Sequence, residues 1–354
     1  MDVPPDVGAP CLAAQTNGCD LTVTLKNPSR ETTGPILVTF AAMLWAVDAP
    51  FRKLLTIELS SPAIVLMEHL LISVCVLPLL LTRIAELKRL TLRGWLAVIF
   101  VSCGGSALAT MLFTQSFRYL NPTVAILLQK LQPLIGIAVA AAILKERSSK
   151  DFWLWALVAV CGAYLVSFPS LKPSGLTWNS DMLGVVLALG AAFLWAGSTV
   201  FGRFALNSVE YQVLTALRFL PALVLLVVVN VFSGTLQQVA AASSRDWLFV
   251  FMTAIIGGFI SLLIYYYGLR STRASVATVC ELGYPLAAVV VNWKFLDATL
   301  SPMQVAGGCI LIVAIARLSV VNEQDLQGAS RGLGDGRESD LALQDSRRIQ
   351  QSRA

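Results

Sequence analysis

Ten apolar stretches follow one another along this chain: 34–51, 62–82, 95–114, 121–144, 152–169, 183–203, 211–232, 247–269, 274–295 and 303–321. A helix needs about 20 apolar residues to cross the hydrocarbon of a bilayer. Backbone polar groups at that depth must be satisfied within the segment, so runs of this length joined by short polar links imply a helical bundle. Composition agrees. Only 13% of residues are charged and mean hydropathy is +0.72, whereas a soluble domain carries about 25% charged residues. The expected fold is an all-α integral membrane protein with ten transmembrane helices. The net charge of +5 is spread over short loops and tails rather than one patch. This argues against a nucleic-acid partner and leaves the lipid bilayer and a small-molecule substrate.

Residues 1–33 hold Asp2, Asp6 and Asp20 before any apolar run. They lack the basic start and apolar middle of a secretory signal and read as a disordered N-terminal tail. Residues 322–354 mix both charge signs with little apolar content and read as a disordered C-terminal tail. Five cysteines (Cys75, Cys103, Cys161, Cys280 and Cys309) lie in apolar runs as small packing residues. His69 is the only histidine, and no spacing suits a metal or a cofactor. Neither a nucleotide-binding loop nor a hydrolase motif occurs, which argues against an enzyme or an ATP-driven pump.

The runs are not independent. Ala41-Ala42-Met43-Leu44-Trp45-Ala46 returns as Ala191-Ala192-Phe193-Leu194-Trp195-Ala196. A shift of 152 residues pairs Trp95 with Trp247, Gly105 with Gly257, Arg118 with Arg270, and Pro133-Leu134 with Pro285-Leu286. The polar link at 169–182 divides the copies into 34–169 and 183–321. Five spans per copy is an odd number, so the second copy must cross the membrane inverted relative to the first. Two inverted five-helix repeats form a recurrent secondary-transporter architecture, with substrate bound near the midplane. If the N-terminus is cytoplasmic, ten Lys and Arg residues fall in inside loops and six in outside loops, Arg52 and Lys53 among the latter. The positive-inside rule then places both termini in the cytoplasm of a multi-pass protein. The plasma membrane, or the inner membrane in a bacterium, is the default location.

The Ala-x-x-Leu-Trp-Ala motif opening each copy and the run Asn121-Pro122-Thr123-Val124-Ala125-Ile126-Leu127-Leu128 leading to Pro133-Leu134 resemble the drug/metabolite transporter superfamily, specifically its tandem EamA-domain permeases. Leu144-Lys145-Glu146 is similar to the Leu-Gly-Glu that closes the fourth span in many relatives, and Arg218 matches an arginine common in the second span. The resemblance covers about residues 34–320. It implies the permease fold and transport, but not a substrate. His69 stands where the first copy would carry that arginine, and Phe295-Leu296-Asp297-Ala298 lacks the glutamate aligned with Glu146.

Ionisable groups inside spans are costly and therefore functional candidates. They are Asp48, Glu68, His69, Lys130, Arg218 and Glu281. Gln129 aligns with Glu281 and Gln132 with Tyr284, each pair lying just before its matched proline. Three residues apart, the members of a pair share a helix face. At about 12–15 Å into their spans, all four are expected to wall a midplane cavity, the alternative being interhelical hydrogen bonds that hold the bundle together. Trp45 and Trp195 lie mid-span, where an indole N–H needs a partner. Lys130 could hold an anionic group or pair with Glu68, and Arg218 could clamp substrate or bond helix carbonyls. Substrate-binding candidates are therefore Gln129, Gln132, Glu281, Tyr284, Trp45, Trp195, Lys130 and Arg218. Glu68, His69 and Glu281 are the candidates for proton coupling, His69 also serving as a plain helix-contact residue. Of Tyr265-Tyr266-Tyr267, Tyr266 is expected at the cavity. Gly104-Gly105, Gly257-Gly258 and Gly307-Gly308 allow close helix approach, within one chain or in a homodimer.

The expected function is alternating-access secondary transport, in the export direction, of a small polar or amphipathic metabolite such as an amino acid. An organellar nucleotide-sugar or sugar-phosphate exchanger is the alternative within carriers. A non-transporting membrane scaffold or receptor is the alternative of another class.

Overall fold

The computed structural model describes residues 29–116, 119, 128–129, 131–146, 148–167, 182–295, 301–322 and 324, and these contain no strand. The terminal tails, Lys130 and the link at 169–182 lie essentially outside the described residues. Among the described residues, six helices are long and apolar enough to cross a membrane: α3 (Ser61–Leu81), α4 (Leu92–Ser116), α7 (Met182–Ala205), α8 (Tyr211–Ser233), α9 (Ser244–Leu269) and α12 (Pro302–Asn322). Between them run shorter helices. α1 (Ser29–Leu44) and α2 (Asp48–Glu58) form the first, and α5 (Gln132–Ile143) and α6 (Lys150–Ser167) follow α4. α10 (Ala274–Cys280) and α11 (Gly283–Phe295) precede α12.

The first apolar run does not end at residue 51, as its hydropathy suggests. One 3₁₀ turn, Trp45–Val47, joins α1 to α2 and keeps the chain helical to Glu58. The cause is local: Asp48 and Arg52 are one turn apart and bond each other, so neither charge ends the helix. The helix also starts at Ser29, inside the stretch read as tail. α5 carries Pro133 at its first turn, where the missing N–H costs no helix bond, and α11 carries Pro285 in the same place. α10 therefore stops at Cys280, with the break at Glu281-Leu282. A single ninth helix through 274–295 is thus replaced by two.

Two of the three glycine pairs expected to permit close approach, Gly104-Gly105 and Gly257-Gly258, sit in wide turns. α4 is π-helical over Phe100–Leu108 and α9 over Thr253–Ile260. Such bulges concentrate at functional sites, and these fall at corresponding places under the 152-residue shift.

The strongest contacts join a helix of the first stretch to one of the second: α3 with α8, α1 with α9, α4 and α5 with α7, and α5 with α10. Small residues face these seams. A Cβ on Gly307 would lie 2.8 Å from Val166 N, and one on Gly162 would lie 2.9 Å from Leu311 N, so α6 and α12 touch backbone to backbone. The outward faces are apolar, with Phe232 87% and Ile57 75% exposed. In a membrane helix such residues meet lipid.

Polar cross-links gather where the connections 82–91, 144–149, 206–210 and 270–273 meet. Glu86 Oε2 accepts from Glu210 N at 2.9 Å, at the N-terminus of α8. Glu146 accepts from Ala274 N at 2.9 Å, Ser275 N at 3.0 Å and Ser275 Oγ at 2.6 Å. These bonds cap α10 from the other half of the chain, as a carboxylate at a helix N-terminus should.

Candidate functional site

A cavity of about 470 Å³ opens among α2, α3, α4, α5, α7, α8, α9 and the break between α10 and α11. That is within the size range of sites for drug-sized ligands, roughly 300–1,000 Å³. Gln129, Gln132, Glu281, Tyr284, Trp45, Trp195 and Arg218 all line it, as do Glu68 and His69. Lys130 lies outside the described residues.

Glu281 sits where the proline-broken helix leaves its carboxyl free to face the other helices. Gln132 Nε2 donates to Oε2 at 2.5 Å, Thr199 Oγ1 to Oε1 at 2.9 Å and Tyr265 Oη to Oε1 at 2.7 Å. The expectation of Tyr266 at the cavity is corrected. Tyr265 faces Glu281, while Tyr266 is fully buried and receives Arg218. The two are adjacent on α9 and point about 100° apart, a choice that spacing alone does not make.

Arg218 Nη1 donates to Ser198 Oγ at 3.0 Å and Tyr266 Oη at 2.8 Å, and Nη2 to Gly105 O at 3.2 Å. All three acceptors are neutral. Its Nε–H is buried without a partner, and Arg218 meets no carboxylate in an ion pair among the described residues.

Arg52 is the cavity residue that sequence reasoning assigned elsewhere, to an outer loop. The continuation of the first helix carries it inside, where its side chain is 12% exposed. Nε donates to Asp48 Oδ2 at 2.7 Å and Nη2 to Glu68 Oε1 at 2.7 Å; Thr253 Oγ1 also reaches Glu68 Oε1, at 3.1 Å. Arg52 is thus the described partner of Glu68. The i, i+4 spacing of Asp48 and Arg52 was the signal available in sequence. The side chains of Thr199, Ser198, Thr253 and Ser106 had no such signal, because a hydroxyl in an apolar run reads as packing.

His69 is held on both sides. Nδ1 bonds Val65 O at 2.8 Å and Nε2 meets Ser106 Oγ at 3.0 Å, with Phe219 edge-on to the ring at 5.2 Å. This is the helix-contact arrangement. Aromatic faces complete the wall. Trp45 lies 5.5 Å from Tyr265 and gives its indole N–H to Ser261 Oγ at 3.0 Å; Trp195 lies 5.1 Å from Phe113. Gln129 has no hydrogen-bond partner among the described residues and is free to meet a solute.

The EamA-like transporter family matches this chain twice, over residues 32–168 and 182–320. The chain belongs to that family. Two copies of the family unit in tandem make it a tandem EamA-domain member of the drug/metabolite transporter superfamily. It is 30% identical over 301 residues to the riboflavin transporter ImpX of Fusobacterium nucleatum, covering 82% of this chain and 98% of that protein. The uncharacterized transporter YwfM of Bacillus subtilis is 24% identical over 53% of this chain and 60% of its own length. A solved crystal structure superposes with a TM-score of 0.66 at 15% identity, over 82% of this chain and 98% of that one, which is a likeness of fold. The chain is accordingly a multi-pass membrane transporter of a small molecule.

Proposed function

We propose that this EamA-family protein is a secondary carrier for a flat, polar heterocyclic solute of the riboflavin type, moved by alternating access around the central cavity. The observation that carries the reading is the cavity itself, in which aromatic faces stand beside amide and guanidinium donors. Trp45, Trp195 and Phe113 offer stacking surface. Gln129, with no protein partner among the described residues, offers hydrogen bonds to ring carbonyls and nitrogens, and Arg218 brings a cation to the wall. The named activity of the Fusobacterium relative supports the same class. In this reading the amino acid first considered gives way to a heterocycle, because the wall is more aromatic than an amino acid needs. The direction is set by the gradient rather than by a cavity residue.

The fold we assign to this carrier is ten spans in two inverted five-helix repeats, 34–169 and 183–321, with both termini on the cytoplasmic side of the plasma membrane, or of the inner membrane in a bacterium. Moving Arg52 from the outer loops into the cavity strengthens the positive-inside bias behind that orientation. The matched π segments and the matched prolines in the first turns of α5 and α11 support the repeat. Inverted copies would rock about the break beside Glu281.

A sugar-phosphate or nucleotide-sugar exchanger is favoured by one observation, the Arg218 guanidinium with no carboxylate partner. The test is counterflow in liposomes. Vesicles preloaded with unlabelled riboflavin should accumulate labelled riboflavin, and inorganic phosphate should not compete. Phosphate competition without riboflavin counterflow would move the assignment to the exchanger. Binding of a solute with no counterflow of any would favour a receptor or scaffold.

A further inference from the structure

We infer that Glu281 is the proton-binding site of this carrier, held by Thr199 and Tyr265 in a three-oxygen ring that one added proton completes. The inference rests on the carrier reading for its transport consequence, but the site is argued from geometry alone. Glu281 Oε1, Thr199 Oγ1 and Tyr265 Oη lie 2.7, 2.8 and 2.9 Å apart pairwise. Three oxygen pairs at hydrogen-bond distance need three hydrogens, and two hydroxyls supply two. With the carboxyl ionised, both hydroxyls donate to Oε1 and the Thr199–Tyr265 pair has no hydrogen between its oxygens. With a proton on Oε1, each oxygen donates once and accepts once around the ring. The change needs only rotation of one hydroxyl hydrogen, so the site accepts and returns a proton with every heavy atom in place.

The charges facing the site lead to the same count. Arg218 stands beside Glu281 with Tyr265 and Tyr266, and the far wall carries Asp48, Arg52, Glu68 and His69. The helices α1, α5 and α6 bring no charged side chain to the wall among the described residues. Cys280 and Tyr284 are its titratable neighbours in the broken helix. Val65 O can only accept, so His69 Nδ1 carries a hydrogen, and in the neutral ring Nε2 accepts from Ser106 Oγ. The described cavity then holds three carboxyls against two guanidinium groups, and one proton brings it to neutrality.

The other two candidates are committed elsewhere. Glu68 is bonded to Arg52 and Thr253, and His69 spends both ring nitrogens on α3 and α4. Glu281 also joins the two halves of the chain through its other oxygen. Its second oxygen takes the amide of Gln132, so the proton site bridges the first repeat and the second. Loading the ring changes what that bridge holds, which is how a proton would bias the rocking of one repeat against the other.

The test needs no solute at its first stage. Infrared difference spectra of the purified full chain between neutral and alkaline buffer, both above the range in which exposed Asp and Glu side chains take up protons, should show a protonated-carboxyl C=O band. That band should be lost in Glu281→Gln, kept in Glu68→Gln, and shifted in frequency in Tyr265→Phe and Thr199→Val. The shifts keep the assignment testable should Glu281→Gln fail to fold. A band that survives in Glu281→Gln, vanishes in Glu68→Gln, or ignores both hydroxyl variants would overturn the inference. In liposomes, a pH gradient should drive labelled riboflavin uphill in the wild type, and that accumulation should be lost in Glu281→Gln. Uphill accumulation retained in Glu281→Gln would overturn it too. A wild type that moves no riboflavin at all would end the heterocycle assignment and leave the infrared result to decide the proton site.

Discussion

At the scale of single residues, the cavity is a set of charges whose pairing decides what each can do. Arg52 bridges Asp48 and Glu68 at 2.7 Å each, with side chains 12%, 22% and 7% exposed. Removing one partner of a buried pair costs about 3–5 kcal/mol because the other charge is stranded. Arg52→Met should therefore lower the melting temperature sharply, and adding Glu68→Gln should recover part of the loss. An unchanged melting curve for Arg52→Met would mean the pair is solvated and idle. Arg218 is the opposite case, a cation held only by neutral oxygens. Lys at 218 presents one point of charge where the guanidinium spans three acceptors. Arg218→Lys should weaken riboflavin binding in isothermal titration with little loss of fold, whereas equal affinity would remove Arg218 from the site. Much of this residue scale was legible in the sequence, because an ionisable group in an apolar run is conspicuous. The hydroxyl partners were not, since Thr199 and Thr253 look like any small residue in a span. Arg52 was misassigned because a charge is normally read as the end of a membrane helix, and here a one-turn ion pair hides it.

At the scale of elements, proline placement and small residues govern the architecture. Pro133 and Pro285 could be matched in sequence, but the size of their effect was not readable there. A proline can bend a helix or divide it, and beside Glu281 it divides it. Glu146 shows what a helix made short in this way requires. α10 has only seven residues, and its N-terminus is capped by a carboxylate from the other repeat. Glu146→Ala removes three hydrogen bonds to a charged group, each worth about 1.5–3 kcal/mol. It should destabilise the protein by several kcal/mol, with Glu146→Gln intermediate. A loss no larger than that of a surface substitution would show the cap to be incidental. The α6–α12 contact makes a steric counterpart. Gly307→Val places new atoms against Val166 N and Gly162 O, both within 2.9 Å of a Cβ. Because both are backbone atoms, the helices must separate, so folded yield should fall. Gly308→Ala, whose Cβ meets the flexible end of Leu286, should be far milder.

At the scale of the whole molecule, hydropathy gave the membrane class and the repeat gave the family, because both are properties of long stretches. Where helices break, and which of their faces meet, depends on contacts between residues far apart in sequence. Those contacts bring the first repeat's Gln132 to the second repeat's Glu281 and turn two separate polar pairs into one site. The account stands on that site being a passage for solute. The most direct measurement is flux of labelled riboflavin into liposomes carrying the purified protein, wild type beside Arg218→Ala and Trp195→Ala variants whose melting curves show them folded. The account predicts saturable counterflow in the wild type and its loss in both variants. Flux no greater than in protein-free liposomes, for riboflavin and for sugar phosphates and amino acids tried in turn, with no binding of any of them, would contradict it.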